Sequence, residues 1–168
     1  RMVRLRRMSV LAKGSTGNDS FVENEKGSLL VDVGLTGKKM EELFSQIDRN
    51  IQDLNGILVT HEHIDHIKGL GVLARKYNLP IYANEKTWQA IEKKDSRIPM
   101  DQKFIFNPYE TQSIAGFDIE SFNVSHDAID PQFYIFHNDH KKFTILTDTG
   151  YVSDRMKGMI RGSDAFIF

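Results

Sequence analysis

The 168-residue chain carries 22 Lys and Arg against 23 Asp and Glu, a net charge of −1. That balance excludes a protein that grips nucleic acid with a uniformly basic surface. The absence of cysteine excludes disulfide scaffolds, cysteine-based zinc modules and thiol nucleophiles. With 40% apolar and 27% charged residues the chain reads as one globular domain over residues 1–168. Its apolar runs fall far short of the roughly 20 residues that span a bilayer, so no membrane partner and a cytoplasmic location are expected.

Along the chain, Val3 to Ala12 and Ser20 to Glu25 read as strands around the glycine-rich loop Gly14-Ser15-Thr16-Gly17-Asn18. Arg1, Arg4, Arg6 and Arg7 make this start basic, either a phosphate-contacting edge or a strand edge protected by charge. Ser28 to Val33 is an apolar strand closed by Gly34. Met40, Leu43, Phe44 and Ile47 recur at helical spacing and predict a helix over Thr36 to Arg49. Gly56 to Thr60 is a short, continuously apolar strand of the doubly covered kind. Ile67, Leu70, Ala74 and Tyr77 then mark one helix face. Pro80 to Ala83 is a strand, and Asn84 caps a helix that buries Trp88 and Ile91. Beyond it lie strands at Phe104–Phe106, Ile114–Val124, Gln132–His137 and Phe143–Thr147, with Asn138-Asp139 as a hairpin turn. A short helix from Ser153 or Asp154 to Arg161 precedes an apolar end, Asp164 to Phe168, that reads as the start of a buried strand. Alternating strands and helices followed by a strand meander argue for layered α/β architecture.

The chemistry concentrates in Thr60-His61-Glu62-His63-Ile64-Asp65-His66, which holds three of the six histidines between a buried strand and a helix. Imidazole and carboxylate are preferred ligands of zinc, manganese and iron. Alternate residues of an extended backbone point the same way, so His61 and His63 can chelate one ion while Asp65 and His66 face a neighbouring one. Glu62 points away from them.

His61-x-His63-x-Asp65-His66 after an apolar strand resembles the HxHxDH signature of metallo-β-lactamase-fold hydrolases. Leu30-Val31-Asp32-Val33-Gly34 upstream, a lone His126 in a loop, and Thr147-Asp148-Thr149-Gly150 after a strand match that family in order. The glycine-rich loop, Ser125-His126-Asp127-Ala128 and Thr147-Asp148-Thr149-Gly150-Tyr151 bring the chain nearest to the bacterial YycJ/WalJ-like nuclease branch; Lys13 replaces that branch's usual small residue. The resemblance implies an α/β metallo-β-lactamase-like four-layer αβ/βα sandwich. It further implies two divalent ions, zinc or manganese first and iron as a further option. His61, His63 and His126 would hold the first ion, Asp65 and His66 the second, and Asp148 would bridge them. Asp65 and Asp148 would serve catalysis, with Asp32, Thr60 and Thr149 as supports behind the ligands. Ser15 and Asn18 are candidate phosphate contacts, with a simple hairpin turn as the other reading of their loop. The implied activity is cleavage of nucleic-acid phosphodiester bonds by a metal-held hydroxide, as a 5′-to-3′ exonuclease on DNA rather than RNA, with a role in DNA repair. Another ester, a thioester or a small phosphodiester is the alternative substrate. No histidine follows Asp148, whereas the family draws a last ligand from there. The fold is therefore expected to be incomplete at its C-terminus, and an inactive, self-associating fragment is the remaining alternative.

Overall fold

The computed structural model describes residues 3–12, 17–95, 97–124, 132–146 and 154–167. Two sheets face each other. The first runs in the order β1 (Leu5–Ala12), β2 (Asp19–Asn24), β3 (Ser28–Val31), β4 (Gly56–Leu58), β5 (Ile81–Ala83), β6 (Lys103–Ile105). Strands β1 to β3 pair antiparallel and β3 to β6 parallel. The parallel pairs are bridged by helices α1 (Gly37–Gln46), α2 (Ile64–Ile67) with α3 (Leu70–Tyr77), and α4 (Glu85–Lys94). The second sheet has the order β11 (Ala165–Ile167), β10 (Lys141–Ile145), β9 (Gln132–Asn138), β8 (Phe117–Asn123), β7 (Thr111–Ile114), with α5 (Asp154–Ile160) ahead of β11.

Strand alternation sorts the apolar residues into three stacked cores. Phe21, Leu30, Ile57, Ile81 and Ala83 face the helices and meet Met40, Phe44, Leu73 and Trp88. Their neighbours Val22, Leu29, Val31 and Leu58 face the second sheet and meet Phe117, Tyr134, Phe136 and Phe143. On the far face of that sheet Phe133 and Ile135 pack with Leu146 and with Ile160 of α5. Helices, sheet, sheet and helix make the expected four layers. Among the described residues no helix is long and apolar enough to cross a membrane.

The helix caps fall where the sequence puts them. Thr36 accepts from Lys39 N and Asn84 from Thr87 N, each satisfying an otherwise orphaned amide. Three details differ from the sequence reading. The predicted strand over 114–124 is broken by Ala115 and Gly116, both at positive φ (56° and 81°), which turn β7 into β8. The β9–β10 turn sits one residue later than expected, on Asp139 and His140 at φ 54° and 62°, so Asn138 still pairs with Lys141. The helix after the histidine cluster divides at Gly69, where a Cβ would lie 2.3 Å from the Leu35 carbonyl oxygen. The C-terminal run does form a strand, β11, parallel to β10.

Candidate metal centre

The histidine cluster lies where β4 ends and α2 begins, at the carboxyl end of the parallel strands. Open α/β sheets place their ligand crevices at that end. The organising group is Asp32, the residue after β3. It is fully buried and stands at φ 66°, a left-handed conformation that costs a non-glycine residue energy. Its carboxylate recovers that cost through three hydrogen bonds. Oδ1 accepts from Thr60 N at 2.8 Å, and Oδ2 accepts from Thr60 Oγ1 and from His66 Nδ1, both at 2.7 Å.

Proton accounting fixes the tautomers. Thr60 has one hydroxyl proton and gives it to Asp32, so in its 3.0 Å contact with His61 Nδ1 the imidazole is the donor. His66 likewise donates from Nδ1 to Asp32. Both rings therefore donate from Nδ1, and in the neutral form of each the lone pair falls on Nε2, the atom suited to a cation.

The imidazoles crowd together. The ring centroids of His61 and His66 are 3.8 Å apart, and those of His61 and His63 are 4.6 Å apart. His61 and His66 are buried, His63 is exposed and Asp65 is half-buried. His66 Nε2 lies 3.5 Å from Asp65 Oδ2, which brings the two groups expected to share an ion side by side. The Glu62 backbone carbonyl accepts from Lys94 Nζ at 2.8 Å.

Asn18, a candidate phosphate contact, is only 7% exposed. Its side-chain amide donates to Asp65, at 3.1 Å to Oδ2 and 3.2 Å to the carbonyl oxygen. It thus braces Asp65. The candidate residues Ser15, His126, Asp148 and Thr149 lie outside the described residues, and Asp127 does too. Among the described residues no three His, Asp or Glu side chains form a finished ion cage. The donor set that is described fits a divalent cation, being made of nitrogen and carboxylate oxygen with tautomers already set.

Two features escape the sequence reading. Asp19, at the start of β2, is 1% exposed; its Oδ1 accepts from Gly34 N at 2.9 Å, while among the described residues Oδ2 has no hydrogen-bond partner. Burial, and secondarily the Asp32 charge, push its pKa up to about 7. Behind β4, Gln132 of the second sheet accepts from Asn84 Nδ2 and donates to the Tyr134 hydroxyl, which donates to the Val59 carbonyl. Gln132 N donates to the Thr60 carbonyl. Burial drives the Tyr134 pKa upward, so its phenol keeps that proton.

The topology and this site define a metallo-β-lactamase fold. A family profile described as Beta-lactamase superfamily domain matches residues 29–168, and the chain belongs to that superfamily. It is 61% identical over 160 residues to the Exodeoxyribonuclease YycJ of Bacillus anthracis, covering 95% of this chain and 61% of that protein. It is 53% identical over 161 residues to the Exodeoxyribonuclease WalJ of Streptococcus pneumoniae, covering 95% and 60%. The chain thus spans about three fifths of the length of these relatives. Among solved structures, the metallo-β-lactamase-fold protein YhfI from Bacillus subtilis superposes with a TM-score of 0.76 at 18% identity, covering 95% of this chain and 69% of that one. A diphosphatase of the PhnP family gives 0.76 at 22% identity, covering 98% and 73%. These structural likenesses concern the fold.

Proposed function

We propose that the protein hydrolyses nucleic-acid phosphodiester bonds, as a DNA exonuclease working 5′ to 3′ in DNA repair in the cytoplasm. The observation that carries the reading is the Asp32–Thr60–His66 arrangement, which presets two imidazoles for a cation within a chain 61% identical to an exodeoxyribonuclease. Two divalent ions fit the donor set: His61, His63 and His126 would hold one, and Asp65 and His66 the other, with Asp148 as a ligand shared by both. When bound, such ions lower the pKa of water and neutralise charge on a scissile phosphate. The chain's own residues do the positioning. Asp32 orients His66, Thr60 orients His61, and Asn18 holds Asp65. The exposed His63 and Ile64, with Lys94 tied to the same loop, form the lip on which a substrate strand would lie.

The test is digestion of DNA labelled at its 5′ or its 3′ end, beside matched RNA and a thioester panel, with Mn²⁺ or Zn²⁺. Mononucleotide release that removes the 5′ label first supports the reading. Turnover of thioesters with no release from either DNA end overturns it, and preference for RNA overturns the DNA assignment.

A further inference from the structure

We propose that Asp19 is a positioning residue for Asp65: it pins the Gly34 amide, and the Asn18–Gly34 pair so fixed holds the Asp65 backbone and carboxylate in place. The inference rests on the reading of Asp65 as a ligand of the second ion.

Three segments meet at this point. Asn18 N donates to the Asp65 carbonyl at 2.8 Å, and the Asn18 side chain reaches both that carbonyl and Oδ2. The Asn18 carbonyl is held in turn by Gly34 N at 3.1 Å. That same Gly34 N–H is shared with Asp19 Oδ1, the shorter of its two contacts at 2.9 Å. Gly34 is pressed so closely into the junction that a Cβ would lie 1.8 Å from the Asp65 carbonyl oxygen and 2.4 Å from Asn18 N. A buried carboxylate with one oxygen that lacks a hydrogen-bond partner among the described residues is expensive, and an apolar side chain would fill the space at lower cost. What Asp19 adds is an acceptor for Gly34, where the chain must double back against Asp65.

The neighbouring ligand is tethered separately. His66 is held by Asp32 through its ring and by Val33 N through its carbonyl at 2.8 Å. Asp65 and His66 therefore depend on different contacts to the 17–19 and 32–34 segments. Loosening Asp19 releases Asp65 while leaving His66 and His61 oriented. The effect falls on one of two ions, which general loss of stability does not produce.

The experiment titrates the protein with Zn²⁺ by calorimetry, comparing wild type with Asp19→Ala, Asp19→Asn, Asn18→Ala and the Asp19→Ala/Asn18→Ala double variant. Asp19→Ala is expected to weaken the second equivalent about 10- to 100-fold, as lost supports behind ligands do, and to leave the first unchanged. Asn can still accept from Gly34, so Asp19→Asn keeps both equivalents. The double variant loses no more than the worse single variant, because both act on one contact chain. Hydrogen exchange in chelator reads the same clamp without metal: Asp19→Ala should speed exchange of the Asn18 and Gly34 amides relative to the His66 amide. Should Asp19→Ala not fold, Asp19→Ser serves, since its hydroxyl is too short to reach Gly34. Wild-type affinity for both equivalents in Asp19→Ala, additive losses in the double variant, or unchanged exchange would overturn the proposal. If wild type itself binds fewer than two ions, the metal reading fails, and the exchange comparison still decides the clamp.

Discussion

Replacing Asp19 by Asn gives the sharpest energetic test of how the site is built. The folded chain holds the Asp19 proton until about pH 7, against an ordinary value of 3.8, because burial first and the Asp32 charge second oppose ionisation. The ionisable groups acting on it are Asp32 after β3, which raises its pKa, and His66 of α2, which in its protonated form lowers it. Between those two pH values the folded state binds a proton that the unfolded state has released. Stability is then lost as pH rises from about 4 to about 7, and it levels off above. A gap of about 3 pH units at about 1.4 kcal/mol each is worth about 4 kcal/mol. Asn at this position keeps the acceptor for Gly34 and has no charge to expel. Asp19→Asn should therefore match wild type near pH 4 and exceed it near pH 8 by up to about 4 kcal/mol, or about 10 °C in Tm for a chain of this length. Urea unfolding in chelator, followed by circular dichroism across that range, measures the difference. Parallel stability–pH curves for the two proteins would refute a buried Asp19 with elevated proton affinity.

Asp32→Ala removes the acceptor of His66 Nδ1 and both bonds to Thr60, and should cost about 10- to 100-fold in affinity for the ion at His66, read by calorimetry. Gly34→Ala forces a Cβ to 1.8 Å from the Asp65 carbonyl oxygen, backbone that cannot yield; at least about 3 kcal/mol of stability should be lost in urea unfolding. Tyr134→Phe leaves the buried Val59 carbonyl without its donor and should cost about 1–3 kcal/mol, measured in the same way. Saturating Zn²⁺ at about 100 times its Kd should stabilise the protein by about 2.7 kcal/mol per ion bound to the native state only, a Tm increase that EDTA reverses.

Local chemistry made much of the fold legible. The period of Met40, Leu43, Phe44 and Ile47 gives α1 because one face must meet the sheet, and Met40 and Phe44 are indeed buried there. Thr36 and Asn84 announce helix starts because their side chains satisfy orphaned amides. The Ala115-Gly116 turn was concealed inside an apolar-alternating run, and Gly116 was the available signal, tolerating φ 81° at no steric cost. In the candidate site, the gathering of the histidines with Asp65 is legible because it follows from local spacing. The supporting role of Asn18 is not, since its loop reads equally well as a phosphate cradle. Asp19 carries no sequence signal either: it is 1% exposed and meets the backbone of Gly34 and Leu35, residues brought to it by the fold as a whole.

The placement of polar groups explains why chemistry gathers at one end of the molecule. Parallel strands β3, β4 and β5 all end on the same side, with polar residues just beyond them: Asp32 directly after β3, Thr60 and His61 after β4 and Val59, and Asn84 directly after β5. The amides of the residues after those strands need partners, and the helices that follow begin with N–H groups that have no acceptor within the helix. Asn84 meets one such need by accepting from Thr87 N, and its own amide then reaches Gln132 across the sheet interface. Gln132 N holds the Thr60 carbonyl, while Thr60 Oγ1 serves Asp32 and His61. A continuous polar chain thus runs from β9 through β4 to the imidazoles, with apolar cores on either side. Such a network holds its geometry only while every member is satisfied. A change at Gln132 in the second sheet therefore reaches the histidine loop through Thr60, without touching a candidate ligand.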